Sequence, residues 1–366
     1  MFGVLSQLTL QQYWWVIVSL LGSLMVFLMF VQGGQTLIYA VGKTGKERSL
    51  IVDSLGRKWM LTLFMLFTFG SAFFVSFPLF CSTSFGSAYW VWMLILACFI
   101  LQTVLYELRP KSDNVPGQGI YRFALLFIGV LGTVLVGTVV GTFFNGAVFS
   151  INDLNLSHWE MPYHGLEAAL NPHNLLLGLS FLFLARVLAL LYFLHNINNV
   201  QIVTRSRIWL IRNASLFIVC FVTFLILLFV RDGFNYDPVT KAVNMEPHKY
   251  LHNLFDIPIV LVMLFTGIIL VLFGILRSFV GRFTLGIWYA GSGAILVVWS
   301  LFLIAGFNHT CYYPSIYNIQ DSLTIENSSS SHYTLSVMSY VSLSVPFVVA
   351  YIAWRAMKKR RISIEE

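Results

Sequence analysis

Two amides flank two glycines in the segment Val31-Gln32-Gly33-Gly34-Gln35-Thr36, inside a stretch that is otherwise strongly apolar. Glycines let a neighbouring helix approach closely, and buried amides seek hydrogen-bond partners across such a contact. Two uses are open for Gln32, Gly33, Gly34 and Gln35: tight helix packing, or a polar path for protons or water. Arg186 lies mid-way along another apolar run, where a charge must face the protein interior, a partner or trapped water. An ion pair or a bond to backbone carbonyls would serve structure there; a functional role is the alternative. Glu107 precedes Arg109 by two residues near the end of a third run, the placement of a snorkelling interfacial pair. Asp53 reads as a solvated loop residue. Asp256, just before Pro258, reads as a helix N-cap.

Redox chemistry in a helix bundle usually uses haem held by His, Met or Cys on facing helices. Seven of the eight histidines (His158, His164, His173, His248, His252, His309 and His332) fall in or beside the long polar gaps, without metal-ligand spacing. His195 alone lies within an apolar run, near the inner end of the fifth, and the methionines of these runs read as packing residues. A haem or metal held by this chain is therefore not expected. None of Cys81, Cys98, Cys220 and Cys311 forms a CxxC pair; Cys81 and Cys311 fall in external gaps, where a disulfide between them is an option. No dinucleotide fingerprint, phosphate loop, HExxH or Ser-x-x-Lys occurs, so nucleotide hydrolysis and soluble-type catalytic triads are not indicated.

The elements that position these residues follow from composition. Of 366 residues, 58% are hydrophobic and only 10% charged, too few charges to cover a globule in water. Nine runs are long enough to cross a hydrocarbon core: roughly 13–42, 58–80, 88–109, 120–144, 171–199, 206–231, 255–277, 284–306 and 333–357. In lipid these must be helices, because no water satisfies an open backbone. The first and fifth exceed a simple span and should tilt or project beyond the core. No cleavage site follows the start of the chain, so the first run is expected to remain as a helix.

The gaps after the odd-numbered spans, with the tail, hold 18 of the 22 Lys and Arg. By the positive-inside rule those gaps are cytoplasmic, the N-terminus outside and the C-terminus inside. The net charge of +7 thus reports orientation, and no nucleic-acid partner is expected.

Short motifs in order along the chain resemble one family. Tyr13-Trp14-Trp15 with the glycine–amide segment resembles the first helix of subunit II of the cytochrome bd-type quinol oxidases. Phe77-Pro78, Tyr89 and Tyr106-Glu107-Leu108-Arg109 look like its second and third helices. Gly141-Thr142-Phe143-Phe144-Asn145-Gly146 is similar to the exit from its fourth helix, and Asn171-Pro172 with Leu175, Leu176 and Gly178 to the start of its fifth. The fullest likeness is Pro314-Ser315, Asp321 to Asn327, Tyr333-Thr334-Leu335, Met338 and a basic tail containing Trp354.

The resemblance implies an all-α integral membrane protein with residues 1–366 as a single transmembrane domain, two four-helix bundles plus one additional helix. It implies the bacterial cytoplasmic (inner) membrane, and no catalytic centre in this chain. The expected partner is a subunit I bearing two b-type haems, one d-type haem and the quinol-oxidising loop. A small accessory membrane subunit and a structural quinone or lipid accompany some members. The complex would oxidise quinol and reduce dioxygen to water.

One departure matters. Many members have Asp-Gly-x-Asp where this chain has Gln32-Gly33-Gly34-Gln35, and an aspartate after the tryptophan matching Trp59, where Met60 stands here. Both changes remove carboxylates from a route proposed for protons. The competing class is a secondary transporter, with spans 1–4 and 5–8 as repeats and Arg186 holding an anionic substrate; few polar residues in the spans speak against it.

Overall fold

The computed structural model describes residues 2–108, 117–281 and 283–357. Among them, nine helices are long and apolar enough to span a membrane: α1 (Gln7–Gln35), α2 (Gly45–Ser76), α3 (Tyr89–Leu108), α4 (Gly119–Asn145), α5 (Pro172–Asn196), α6 (Val200–Val230), α7 (Pro258–Val280), α8 (Gly286–Gly306) and α9 (His332–Arg355). Ser6, Asn171, Asn199 and Ser331 cap α1, α5, α6 and α9, each side chain accepting from a backbone N–H of the first turn. The Asn199 cap starts α6 six residues before the apolar run at 206, so the basic residues Arg205, Arg207 and Arg212 ride on the helix rather than in a loop.

Two spans differ from a single smooth helix. The predicted run 13–42 resolves into Gln7–Leu28, a break at Met29, Phe30–Gln35 and a separate turn Ile38–Val41. The glycine pair explains why this end holds helix weakly. In α2, a first segment Gly45–Gly56 opens on a capping box, Thr44 with Glu47, before Arg57-Lys58 interrupts it and Trp59–Ser76 follows. Asp256 is not the cap of α7. It ends the short helix Lys249–Asp256, Ile257 precedes Pro258, and the Asp256 carboxylate accepts a bond from Asn308 Nδ2 at 2.9 Å.

Along the chain α1 packs on α2, α3 on α4, α5 on α6 and α7 on α8. The α4–α5 and α1–α8 contacts close the two halves on each other, and α9 lies against α1. The segments joining α4 to α5, α6 to α7 and α8 to α9 form a lid over one end of the bundle. Strand β1 (Phe149–Ile151) pairs antiparallel with β2 (Ser157–Trp159), and β3 (Gly233–Tyr236) with β4 (Val243–Glu246). Segment 307–331 ties them together: Cys311 N donates to Phe234 O, and Ala147 bridges to Ser315. Beneath this lid Trp15, Phe73, Phe77, Phe80, Phe143 and Tyr312 form one aromatic core of tilted and edge-on rings. All four cysteines are free thiols, so Cys81 and Cys311 do not pair.

Candidate functional site

The inner end of α1 is wedged among α3, α4 and α5. A Cβ on Gly33 would stand 2.1 Å from Ala185 O and 2.6 Å from Arg186 N, so the α1 and α5 backbones touch there. One on Gly34 would meet the Leu55 side chain at 2.6 Å. On the opposite side Gly129 of α4 leaves room for Gln35, whose Oε1 would be 3.0 Å from an added Cβ. Glycine at these positions is a condition of the approach, not a flexible joint.

This packing buries Gln32 and Gln35, at 1% and 0% exposure. Gln32 Nε2 donates to Gln102 Oε1 at 2.9 Å, and Gln35 Nε2 to Tyr106 Oη at 3.2 Å. Trp59 lies parallel to the Tyr106 ring, centroids 6.5 Å apart, and closes the cluster on the α2 side. Arg186 is half-buried, and its Nη2 donates to Thr36 O at 3.4 Å, the first carbonyl beyond the α1 end. Gln32 Oε1, Gln35 Oε1, Gln102 Nε2 and Arg186 Nε are buried and have no hydrogen-bond partner among the described residues. A buried, unmet donor or acceptor costs about 1–3 kcal/mol, a strong pull on any water able to reach it. Chemically the cluster can bind and orient neutral polar species. It cannot load a proton on a carboxylate, because none is present and amides do not titrate in this range.

The structure thus brings together Gln32, Gly33, Gly34, Gln35, Trp59 and Arg186. Glu107 is not among them: it is exposed, turned about 100° around α3 from Tyr106. Arg109 lies outside the described residues. Met60 also faces outward, at 64% exposure. Gln102 and Tyr106 complete the site and were not singled out as polar partners. Their signal was present: they are spaced i, i+4 on one face of α3, opposite amides spaced i, i+3 on α1.

Other buried polar contacts are structural. At the inner end of α5, Asn196 Nδ2 donates to Ser54 Oγ at 2.8 Å and to Tyr192 Oη at 2.9 Å. His195 Nδ1 donates to Thr284 O at 3.0 Å. Arg205 donates to Glu47 Oε2 at 2.8 Å and to Val41 O at 3.1 Å, fastening α6 to the segment between α1 and the start of α2. Among the described residues no group of three or more His, Cys, Asp or Glu could hold a metal ion.

The family model described as cytochrome bd terminal oxidase subunit II matches residues 10–357. The chain belongs to that family. It is similar to the probable cytochrome oxidase subunit 2 of Haemophilus influenzae, with 25% identity over 94% of this chain and 93% of the relative. The cytochrome bd-I ubiquinol oxidase subunit 2 of Escherichia coli strain K12 is 24% identical over 93% of this chain and 92% of its own. The solved bd oxidase of Geobacillus thermodenitrificans matches in fold, with a TM-score of 0.62 at 15% identity, over 96% of this chain and 99% of that one. The subunit II chain is therefore a multi-pass membrane component of an oxidoreductase complex, and the transporter reading has no support.

Proposed function

We propose that this chain is the haem-free subunit of a cytochrome bd-type quinol:dioxygen oxidoreductase, scaffolding a subunit I that carries two b-type haems and one d-type haem. Its setting is the bacterial cytoplasmic membrane, N-terminus outside and C-terminus inside, as the split of basic residues supports. A haem needs an axial His, Met, Cys or similar side chain facing open space. The cavity of about 150 Å³ bounded by α4 to α8 is lined by Val, Phe, Leu, Ile, Ala and Ser side chains, none an axial ligand. His195, half-buried at the C-terminal end of α5, is engaged with the Thr284 carbonyl. These residues do not fit a haem, and the chain acts through packing and polar contacts.

The partner's face is the one built by α2, α3 and α9. Met60, Phe64, Phe67, Phe74, Trp90 and Met93 stand exposed along it. Aromatic and Met side chains are the types enriched in protein interfaces. The exposed face of α6 and α7 carries mostly aliphatic side chains, such as Val219, Val222, Ile259 and Val262, suited to lipid.

The observation that carries the mechanistic part of this reading is the fully buried amide cluster without a carboxylate. Protons consumed in dioxygen reduction then enter through the partner, or along water that needs no acid here. Turnover of the assembled complex with full haem content tests this in the Gln35→Leu and Glu107→Gln variants. Near-normal quinol oxidation is expected in both. Collapse in Gln35→Leu with haem intact would assign the path to this chain.

A further inference from the structure

A smaller, enclosed cavity lies where α1, α2, α3, α4 and α8 meet, directly beneath the aromatic core, whose Phe80 and Phe143 rings line it. Its volume is about 20 Å³, and Gly22, Met25, Leu66, Phe69, Val139 and Phe302 build most of its wall. Among the described residues no polar side chain lines it except the indole of Trp92, whose N–H already donates to Ser84 Oγ at 3.1 Å. A buried water needs roughly two to four polar partners and finds none here, so this space stays dry. Gly22 leaves it open: an added Cβ would stand 2.9 Å from Phe69 Cε2 and 3.2 Å from Phe302 Cε2.

Interiors hold few such voids, because the walls forfeit dispersion contacts. One water takes up roughly 10–15 Å³ on the same measure, so this cavity suits one gas molecule and is too small for a lipid chain or a quinone ring. Leu66, Phe69 and Trp92 also line a groove of about 520 Å³ between α2 and α3. The groove is open at Gly70, where an added Cβ would meet no heavy atom within 4 Å. Only these three side chains therefore stand between the cavity and the face assigned to the partner.

We infer that the enclosed cavity is a binding site for a small apolar gas, dioxygen in the working complex, exchanged with the α2–α3 groove past Leu66, Phe69 and Trp92. Dioxygen is apolar and concentrates in hydrocarbon rather than in water. A dry pocket beside the partner face holds it where the oxidase draws its substrate. The identity of the gas rests on the oxidase reading; the pocket itself does not.

The test uses the whole complex with its partner subunit. Crystals held under xenon pressure should show an anomalous peak among Gly22, Phe69, Val139 and Phe302, since dry apolar cavities take up xenon. Gly22→Ala and Val139→Ile each add a methyl group to the wall and should abolish that peak. If Gly22→Ala does not assemble, Val139→Ile alone decides. In oxygen-electrode assays at full haem content, the variants should show an apparent KM for dioxygen raised about threefold with kcat unchanged, the mark of lost substrate supply rather than lost chemistry. No xenon peak in the wild type, or a variant that loses xenon and keeps its KM, would overturn the assignment. A complex that binds xenon there but consumes no dioxygen would contradict the oxidase reading, and with it the choice of gas.

Discussion

At Gly33 the space between two helices is smaller than a methyl group. The clash of an added Cβ is with backbone, Ala185 O and Arg186 N, which cannot move unless α5 moves with it. At Gly34 the clash is with the far end of the Leu55 side chain, which can change rotamer. Gly33→Ala should therefore destabilise the complex by about 1–3 kcal/mol or more, whereas Gly34→Ala should stay within about 1 kcal/mol. The two variants are compared by thermal melting of the purified complex; equal losses would show that the α1–α5 contact is looser than described. The same residues show what was legible beforehand. Two amides and two glycines in an apolar run announced a buried crossing, and the structure supplies one. Their partners Gln102 and Tyr106 share one face of α3 by spacing, but that this face meets the amides of α1 is a tertiary fact. Glu107 drew attention by its charge, yet one step along the helix turns it out of the cluster.

Elements were more legible than contacts. All nine spans lie near their predicted positions, because length and hydropathy decide them. Their ends moved where a local signal outweighed hydropathy: the Asn199 cap lengthened α6, and the capping box at Thr44 extended α2 back to Gly45. The lid was not legible, since its hairpin strands are very short and the bridges that tie them to segment 307–331, Ala147 to Ser315 and Asn235 to Thr310, join residues far apart in sequence. One of its fastenings is pH-sensitive. Glu326 accepts from Tyr236 Oη at 2.7 Å and pairs with Lys241, joining segment 307–331 to the β3–β4 hairpin. Burial alone would raise its pKa, but the bonds from Lys241 and Tyr236 outweigh that and hold the carboxyl below its ordinary 4.5. A depressed carboxylate pKa adds stability above the unfolded-state value, and that stability is lost as pH falls through the folded value. Glu326→Gln should melt earlier than wild type at neutral pH, and the gap should narrow below about pH 4.5. A gap that persists unchanged into acid would mean that the pair contributes nothing titratable.

For the whole molecule, the division of labour is the central claim. A chain with 58% hydrophobic residues, an apolar cavity and an amide cluster has the means to pack, orient and exclude water. Among the described residues the cavity of α4 to α8 offers no axial ligand, and we propose that the redox centres of the oxidase lie on the partner. The most direct measurement is the visible absorbance spectrum of this chain purified alone, beside the same chain co-purified with its larger membrane partner. The complex should show reduced b- and d-type haem bands, and the isolated chain, folded and monodisperse in detergent, should show neither. Stoichiometric haem on the isolated chain, abolished by His195→Ala, would contradict the account.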